Sequence, residues 1–420
     1  MVIPLAASRR RVFLAVLLVA AAVYLLFSGA EFAATCFASR TDLRSLQRAI
    51  RLSPGNAEYR DRVGRYEAFV AADPPAALDN FEAAVRLNPH EANYWTDVAS
   101  ARHVAGDAQG QREAIEKALR AEPTAPRVAW EAANFFLIDG DVPRALKQFR
   151  VVIENDPTLA GTALQYCWRV QPDVDVLLRD AIPTRPDALL QFLDFLAAKQ
   201  EPVGTLKTWN RLLEQRQKFA PQRLFDYVRY LISVRRPDAA MAAWEDASAL
   251  LGLSAYLPTQ DNLVINPDFS LDVLNGGFDW TYVNRAGVHA LLDPGDFRQG
   301  HRSLSIMFEG PGIDDAGIQQ LVPVHGGSAY EFSAYYKATL FEGAGGPQIV
   351  LRDAYSGAPL YVSDPLIDSD FWKQVRMTVT VPEATTLLTL RIERFPAGSP
   401  LRGKLWLSSF KLAPVDSAHP

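Results

Sequence analysis

Cysteine is nearly absent: of 420 residues, only Cys36 and Cys167 carry a thiol. Two cysteines exclude a disulfide framework, and neither sits in a CxxC pair that would suggest zinc or redox chemistry. They are expected as free buried thiols, with a single bridge as the alternative in an oxidising compartment. Histidine is scarce too. His90, His103, His289, His301, His325 and His419 form no HExxH, and none stands beside a cysteine at metal-ligand spacing. A basic excess is also lacking. Lys and Arg number 43 against 48 Asp and Glu, a formal charge of −5. That balance argues against a dedicated nucleic-acid binder, and no nucleic-acid partner is expected.

Catalytic constellations are missing as well. Gly343-Ala344-Gly345-Gly346 is a glycine-rich stretch with no following helix and no Lys-Ser/Thr pair, so it reads as a turn rather than a phosphate cradle. Ser356-Gly357 lacks the preceding glycine of a nucleophile elbow. Asp314-Asp315 is a carboxylate pair, but adjacent residues of an extended chain point apart, so it reads as a loop. No enzymatic activity and no cofactor are expected.

What the chain does have begins with an apolar run. Arg9, Arg10 and Arg11 precede an unbroken apolar stretch from Val12 to Phe27, extended by Ser28, Gly29 and Ala30 before the first acid, Glu31. A bilayer-spanning helix needs about 20 such residues. The arginines on the N-terminal side place residues 1–11 in the cytoplasm, 12–30 in the membrane as a single-pass signal anchor, and the rest outside it. A cleaved signal peptide is the competing reading. Its apolar core is shorter, about 7–15 residues, although Ser28-Gly29-Ala30 and Phe32-Ala33-Ala34 could serve as cleavage sites. A lipoprotein at Cys36 is opposed by Thr35 directly before it.

A repeat follows. Pro54, Pro89, Pro123 and Pro157 are spaced by 35, 34 and 34 residues, and Pro186, Pro221 and Pro258 continue at 29, 35 and 37. Arg-Leu-Ser-Pro at 51–54 and Arg-Leu-Asn-Pro at 86–89 share one context. Each copy reads as two helices. After Gly140-Asp141, the residues Val142, Ala145, Leu146, Phe149, Val152 and Ile153 fall on one helical stripe. Asp141 is placed to cap that helix, and Pro143 is tolerated in its first turn. Gly106-Asp107 is the same turn one repeat earlier.

Residues 58–157 resemble three tandem tetratricopeptide repeats. Ala77, Phe81, Ala84 and Pro89 carry the resemblance in the first, and Trp95, Gly106, Ile115, Ala118 and Pro123 in the second. Gly140, Ala145, Phe149 and Pro157 carry it in the third. Gln111 and Val152 depart from it, standing where small residues are usual. Residues 42–53 read as the second helix of a truncated earlier repeat. The pairs 187–199 with 202–217 and 222–234 with 237–251 read as later copies. The expectation is an α-solenoid over 40–253, since one hairpin cannot bury its apolar face alone. The resemblance implies a groove holding a protein partner, with a simple spacer as the alternative.

Beyond Gly252 the helical period stops. Tyr330, Phe332, Ala334 and Tyr336 alternate with Glu331, Ser333, Tyr335 and Lys337. Ile349 and Leu351 are expected inward, with Gln348 and Arg352 outward. Leu388, Leu390 and Ile392 are expected inward, with Thr389, Arg391 and Glu393 outward. Short strands separated by turns such as Asn275-Gly276-Gly277 predict an antiparallel sandwich over 260–414, followed by a tail at 415–420. Asn262 to Phe269, Trp280, Gly300 to Ile306, Tyr330 to Tyr335 and Leu405 to Leu412 resemble the jelly-roll carbohydrate-binding modules. Such modules often hold a structural calcium through an acid in the last strand. Here Ser408 and Ser409 stand in its place, which speaks against the ion. The resemblance implies a glycan surface. Trp280, Tyr282 and Trp372 are candidates for its platform, and Tyr335, Arg352, Arg391 and Glu393 for its polar contacts. Against this, tryptophans of this kind are ordinary core residues, and outward charges on a strand are ordinarily just solvated.

The fold class expected is therefore multidomain, α then β: one transmembrane helix, a tetratricopeptide-like solenoid and a jelly-roll sandwich. The function expected is a scaffold in the bacterial cytoplasmic membrane, facing the periplasm and holding a protein partner, in cell-envelope or exopolysaccharide assembly. The alternative is a glycan-binding protein whose sandwich takes polysaccharide and whose repeats set its reach.

Overall fold

The apolar run does not stop where its hydrophobicity does. Helix α1 spans Ala7–Ala38 without a break, and its stretch Arg10–Ala38 is long and apolar enough to cross a membrane by length and composition. The computed structural model describes residues 7–343, 345–367 and 369–415. The first six residues of the expected cytoplasmic terminus, and all but Val415 of the expected tail, lie outside them. The end of α1 turns back through Asp42, which caps helix α2 (Leu43–Leu52) by accepting from Ser45 N. Ala34 and Ala38 are buried with Ala49 and Tyr59. Alanine at i and i+4 lets the two helices approach closely. Residues 42–53 thus do form a second helix, but their repeat is not truncated, because α1 supplies its first helix.

The hairpins continue as α3 (Ala57–Tyr66) with α4 (Pro74–Leu87), α5 (Ala92–Val104) with α6 (Ala108–Ala121), and α7 (Pro126–Ile138) with α8 (Val142–Asn155). Asp73, Asp107 and Asp141 cap the second helices by accepting from Ala76, Gly110 and Arg144 N. Gly106 and Gly140 turn the second and third pairs with φ of +75° and +78°, a conformation glycine adopts freely. The unequal proline spacing has a physical counterpart. The first interval is one residue longer, and the extra residue is absorbed as a π turn at Glu67–Ala71, directly after α3. The short interval before Pro186 matches α9 (Pro157–Val170) followed by α10 (Val174–Asp180), a second helix cut to seven residues. Neither cysteine is bridged. Cys167 is buried, its thiol pushed up to about 12 by desolvation. Cys36 is exposed on α1, contrary to the expectation of two buried thiols, because α1 packs through Ala34 and Ala38 instead.

The chain divides into two compact units, one ending at Pro183 and the other beginning at Thr184. The second holds α11 (Pro186–Ala198), α12 (Pro202–Glu214), α13 (Pro221–Ser233) and α14 (Pro237–Leu251), followed among the described residues by ten strands. These are β1 (Thr281–Tyr282), β2 (Val288–Asp293), β3 (Ser303–Glu309), β4 (Asp315–Pro323), β5 (Ala329–Glu342), β6 (Pro347–Asp353), β7 (Pro359–Val362), β8 (Ser369–Thr380), β9 (Leu387–Arg394) and β10 (Arg402–Pro414). One antiparallel sheet has the order β1-β4-β9-β6-β7 and the other β2-β3-β10-β5-β8, a jelly-roll sandwich. The alternation places Phe332, Ala334, Ile349, Leu351, Leu388, Leu390 and Ile392 in one core between the sheets. Gln348 departs from its expected outward, solvated place. Residues 363–366 run beside β6, so Gln348 is buried and donates to Ser363 O at 2.5 Å.

Within this second unit the helices and the sandwich share side chains. Trp244 of α14 is wholly buried, with ring centroids 5.8 Å from Phe225 and 6.1 Å from Phe278. Its Nε1 donates to Tyr256 O at 2.8 Å. The Gly276-Gly277 turn presses so closely on these rings that a Cβ on Gly277 would lie 2.0 Å from Trp244 Cζ3.

Candidate functional site

The most unusual chemistry of the first unit lies on the first helices of successive hairpins. Asp61 occupies a buried position on α3, among Ala57, Tyr59, Val63 and Gly64. Arg65, one turn later, meets Asp61 Oδ2 at 3.0 Å and Asp97 Oδ2 of α5 at 2.7 Å. Asp61 Oδ1 is buried without a hydrogen-bond partner. Burial, then the hydrogen bond and charge of Asp97, push the Asp61 carboxyl well above the usual range, and Arg65 and Arg127 only partly offset this. Two carboxylates therefore share one guanidinium, with the more deeply buried Asp61 the harder to ionise.

An apolar pocket of about 130 Å³ adjoins that cluster and shares Asp97 as a wall. Phe81 and Ala77 of α4 are buried, while Phe69 and Val104 at its rim are 82% and 67% exposed. Phe69 belongs to the π turn, which carries it and Val70 into solvent. A void of this size takes one aliphatic or small aromatic group, and the charge of Asp97 at its wall is already met by Arg65. None of Asp61, Arg65, Phe69, Asp97 and Val104 was singled out from sequence. Two signals were there: an acid on the buried stripe of α3, and the one-residue excess in the proline spacing.

The sandwich separates the residues expected to form a glycan surface. Trp280 is not a platform. It is wholly buried, its ring packed on Phe269 and Phe410 and its Nε1 donating to Asn266 O. Tyr282 on β1 faces the core, with its hydroxyl buried unpartnered and burial raising its pKa. Arg352, Arg391 and Glu393 do come together, on the outward face of the first sheet. Arg352 grips Glu393 through two bonds of 2.8 and 2.6 Å. Arg391 bonds Asp315, which opens β4 instead of lying in the expected loop. Glu393 is only 7% exposed, so this is a closed ion-pair network rather than a solvated face. Tyr335 and Trp372 are on the other sheet. Trp372 is half-buried on edge strand β8. The Arg298 guanidinium lies 3.4 Å from the Tyr335 ring centroid and covers the face a sugar would need.

The residues at the calcium position implied by the resemblance do not fit the ion. Ser408 and Ser409 offer neutral hydroxyls, and Ser409 faces Gln299 Oε1 at 3.4 Å. The adjoining carbonyls of Phe269 and Ser270 accept from Arg302 at 2.9 and 3.1 Å, and Asp272 accepts from it at 2.8 Å. Calcium or EDTA is expected to leave the melting temperature of the chain unchanged, whereas Arg302→Met should lower stability by about 1–3 kcal/mol. A calcium-dependent midpoint in a thermal scan would contradict this.

No family model matches the chain, and no curated protein matches it. Solved structures do. A domain described as CBM4 is 17% identical, covering 36% of this chain and 99% of its own, with a TM-score of 0.29. The CBM22-1 xylan-binding domain of Paenibacillus barcinonensis Xyn10C is 20% identical, over 38% of this chain and 99% of its own, TM-score 0.27. PilF of Pseudomonas aeruginosa is 13% identical, over 55% of this chain and 93% of its own, TM-score 0.26. Likeness at this level says nothing about what this chain binds.

Proposed function

We propose that the chain is a non-catalytic scaffold, anchored by α1 in the bacterial cytoplasmic membrane with both units on the periplasmic side. Its first unit holds a protein partner, in cell-envelope or exopolysaccharide assembly. The observation that carries this reading is the pocket between Phe69 and Val104, open at an apolar rim and walled by Asp97. It suits a segment with one apolar anchoring side chain. The three arginines before the apolar run support the orientation through the positive-inside rule.

The test is affinity capture of the full chain from membranes, comparing the parent with Phe69→Asp and Val104→Asp. Both residues are largely exposed, so stability should hold within about 0.5 kcal/mol. Retention of the principal partner should fall about 30-fold or more, the loss of one anchoring residue. Equal capture by parent and variants would refute the reading. Glycan binding abolished by Arg352→Ala without unfolding would favour the sandwich as the working surface instead.

A further inference from the structure

The Arg-Leu-Ser-Pro and Arg-Leu-Asn-Pro turns do more than end helices. Arg51, Arg86 and Arg120 each stand in the last turn of a second helix, three residues before a proline. All three are exposed, Arg86 and Arg120 at 67%. Their only ion pairs are loose, 3.8 Å to Glu82 and 4.0 Å to Glu116. Exposed Leu52 and Leu87 follow the first two. The first three hairpins thus each present an exposed arginine before the proline turn, whereas α7–α8 carries Glu154 in that place.

The uninterrupted helix sets where that edge lies. The apolar run of α1 ends at Ala30, and Glu31 accepts from Ser53 Oγ at 2.6 Å, in the first of these turns. A cleft of about 670 Å³ is lined jointly by Phe27 and Ala30 of α1, by Leu52 and Asn56 of the first proline turn, and by Asn88 of the second. The first two proline turns are therefore level with the end of the apolar run. The glycine turns at Gly106 and Gly140 lie at the far end of their hairpins, about 20 Å away for helices of 13–14 residues.

We propose that this proline-turn edge rests on the outer-leaflet headgroups, with Arg51, Arg86 and Arg120 against lipid phosphates and Leu52 and Leu87 at the interface. The inference rests on the membrane-anchor reading of α1. Each such arginine contributes attraction to an anionic surface within a Debye length of it. Glu58, Glu91 and Glu122 lie beside the turns, so the edge has no net excess of positive charge and any attraction is local to the arginine side chains.

The full chain, with Cys36→Ser, is placed in nanodiscs of phosphatidylcholine and phosphatidylglycerol carrying a nitroxide on the headgroup. A fluorophore is attached in turn through Ser28→Cys, Gly55→Cys, His90→Cys or Ala105→Cys. Quenching is expected at Ser28, Gly55 and His90, several-fold stronger than at Ala105 on the opposite edge. Arg51→Gln, Arg86→Gln and Arg120→Gln together should reduce quenching at His90 and leave Ser28 unchanged. Absence of quenching at Ser28 overturns the anchor and the inference with it. Quenching at Ser28 with no difference among the other three positions overturns the inference alone.

Discussion

Trp244→Ala is expected to cost about 3–5 kcal/mol and to unfold the last helices of the second unit together with its sandwich. The wholly buried indole touches both Phe225 of the helices and Phe278 of the chain entering the sheets. Truncation leaves a void bounded by two rings and the Gly276-Gly277 backbone, none of which can collapse without breaking the turn. It also strands the Tyr256 carbonyl. Gly277→Ala attacks the same contact from the other side. Its φ of +64° disfavours any Cβ, and that Cβ would overlap the indole. Thermal unfolding followed separately by helical and near-ultraviolet circular dichroism reads the outcome. A midpoint unmoved in both signals would refute the role assigned to Trp244.

Arg65→Ala should destabilise the first unit by about 2–3 kcal/mol above neutral pH and by much less near pH 5. This is below the full cost of orphaning a buried charge, because Arg65 remains 38% exposed and water takes part of its role. The pH dependence follows from Asp61. Its folded pKa is raised, so its contribution is fully present below the ordinary aspartate range and is lost as pH rises through the folded value. Removing the guanidinium raises that value further and steepens the loss. Asp61→Asn should do the opposite and flatten the profile. Denaturant midpoints across the pH range test both, and parallel profiles for parent, Arg65→Ala and Asp61→Asn would contradict the role given to Asp61.

The architecture was legible because it rests on periodicity. The stripe from Val142 to Ile153 forms α8, with Ala145, Leu146, Phe149, Val152 and Ile153 buried. The alternation from Tyr330 to Tyr336 forms β5 with its even-numbered residues buried. Sites were less legible, because they depend on residues far apart in sequence. Nothing local shows that Arg298 covers Tyr335, that Arg352 closes on Glu393, or that residues 363–366 bury Gln348. Trp280 illustrates the same limit. A tryptophan after a turn suits a platform or a core equally, and only the packing of Phe269 and Phe410 decides. The pocket beside Asp97 arises from a single added residue. Its trace in the sequence, 35 in place of 34, gains meaning only once the π turn is seen.

One consequence concerns α1. A stack of helical hairpins needs each end closed, since a terminal repeat otherwise exposes the face that its neighbour would bury. Here the closing piece at the N-terminal end is the last two turns of the apolar helix, through Ala34 and Ala38. Cleavage after Ala34 would remove the helix that closes the stack, and cleavage after Ala30 would cut it from its nucleated length. The helix that carries the apolar segment thus also closes the stack, through Ala34 and Ala38.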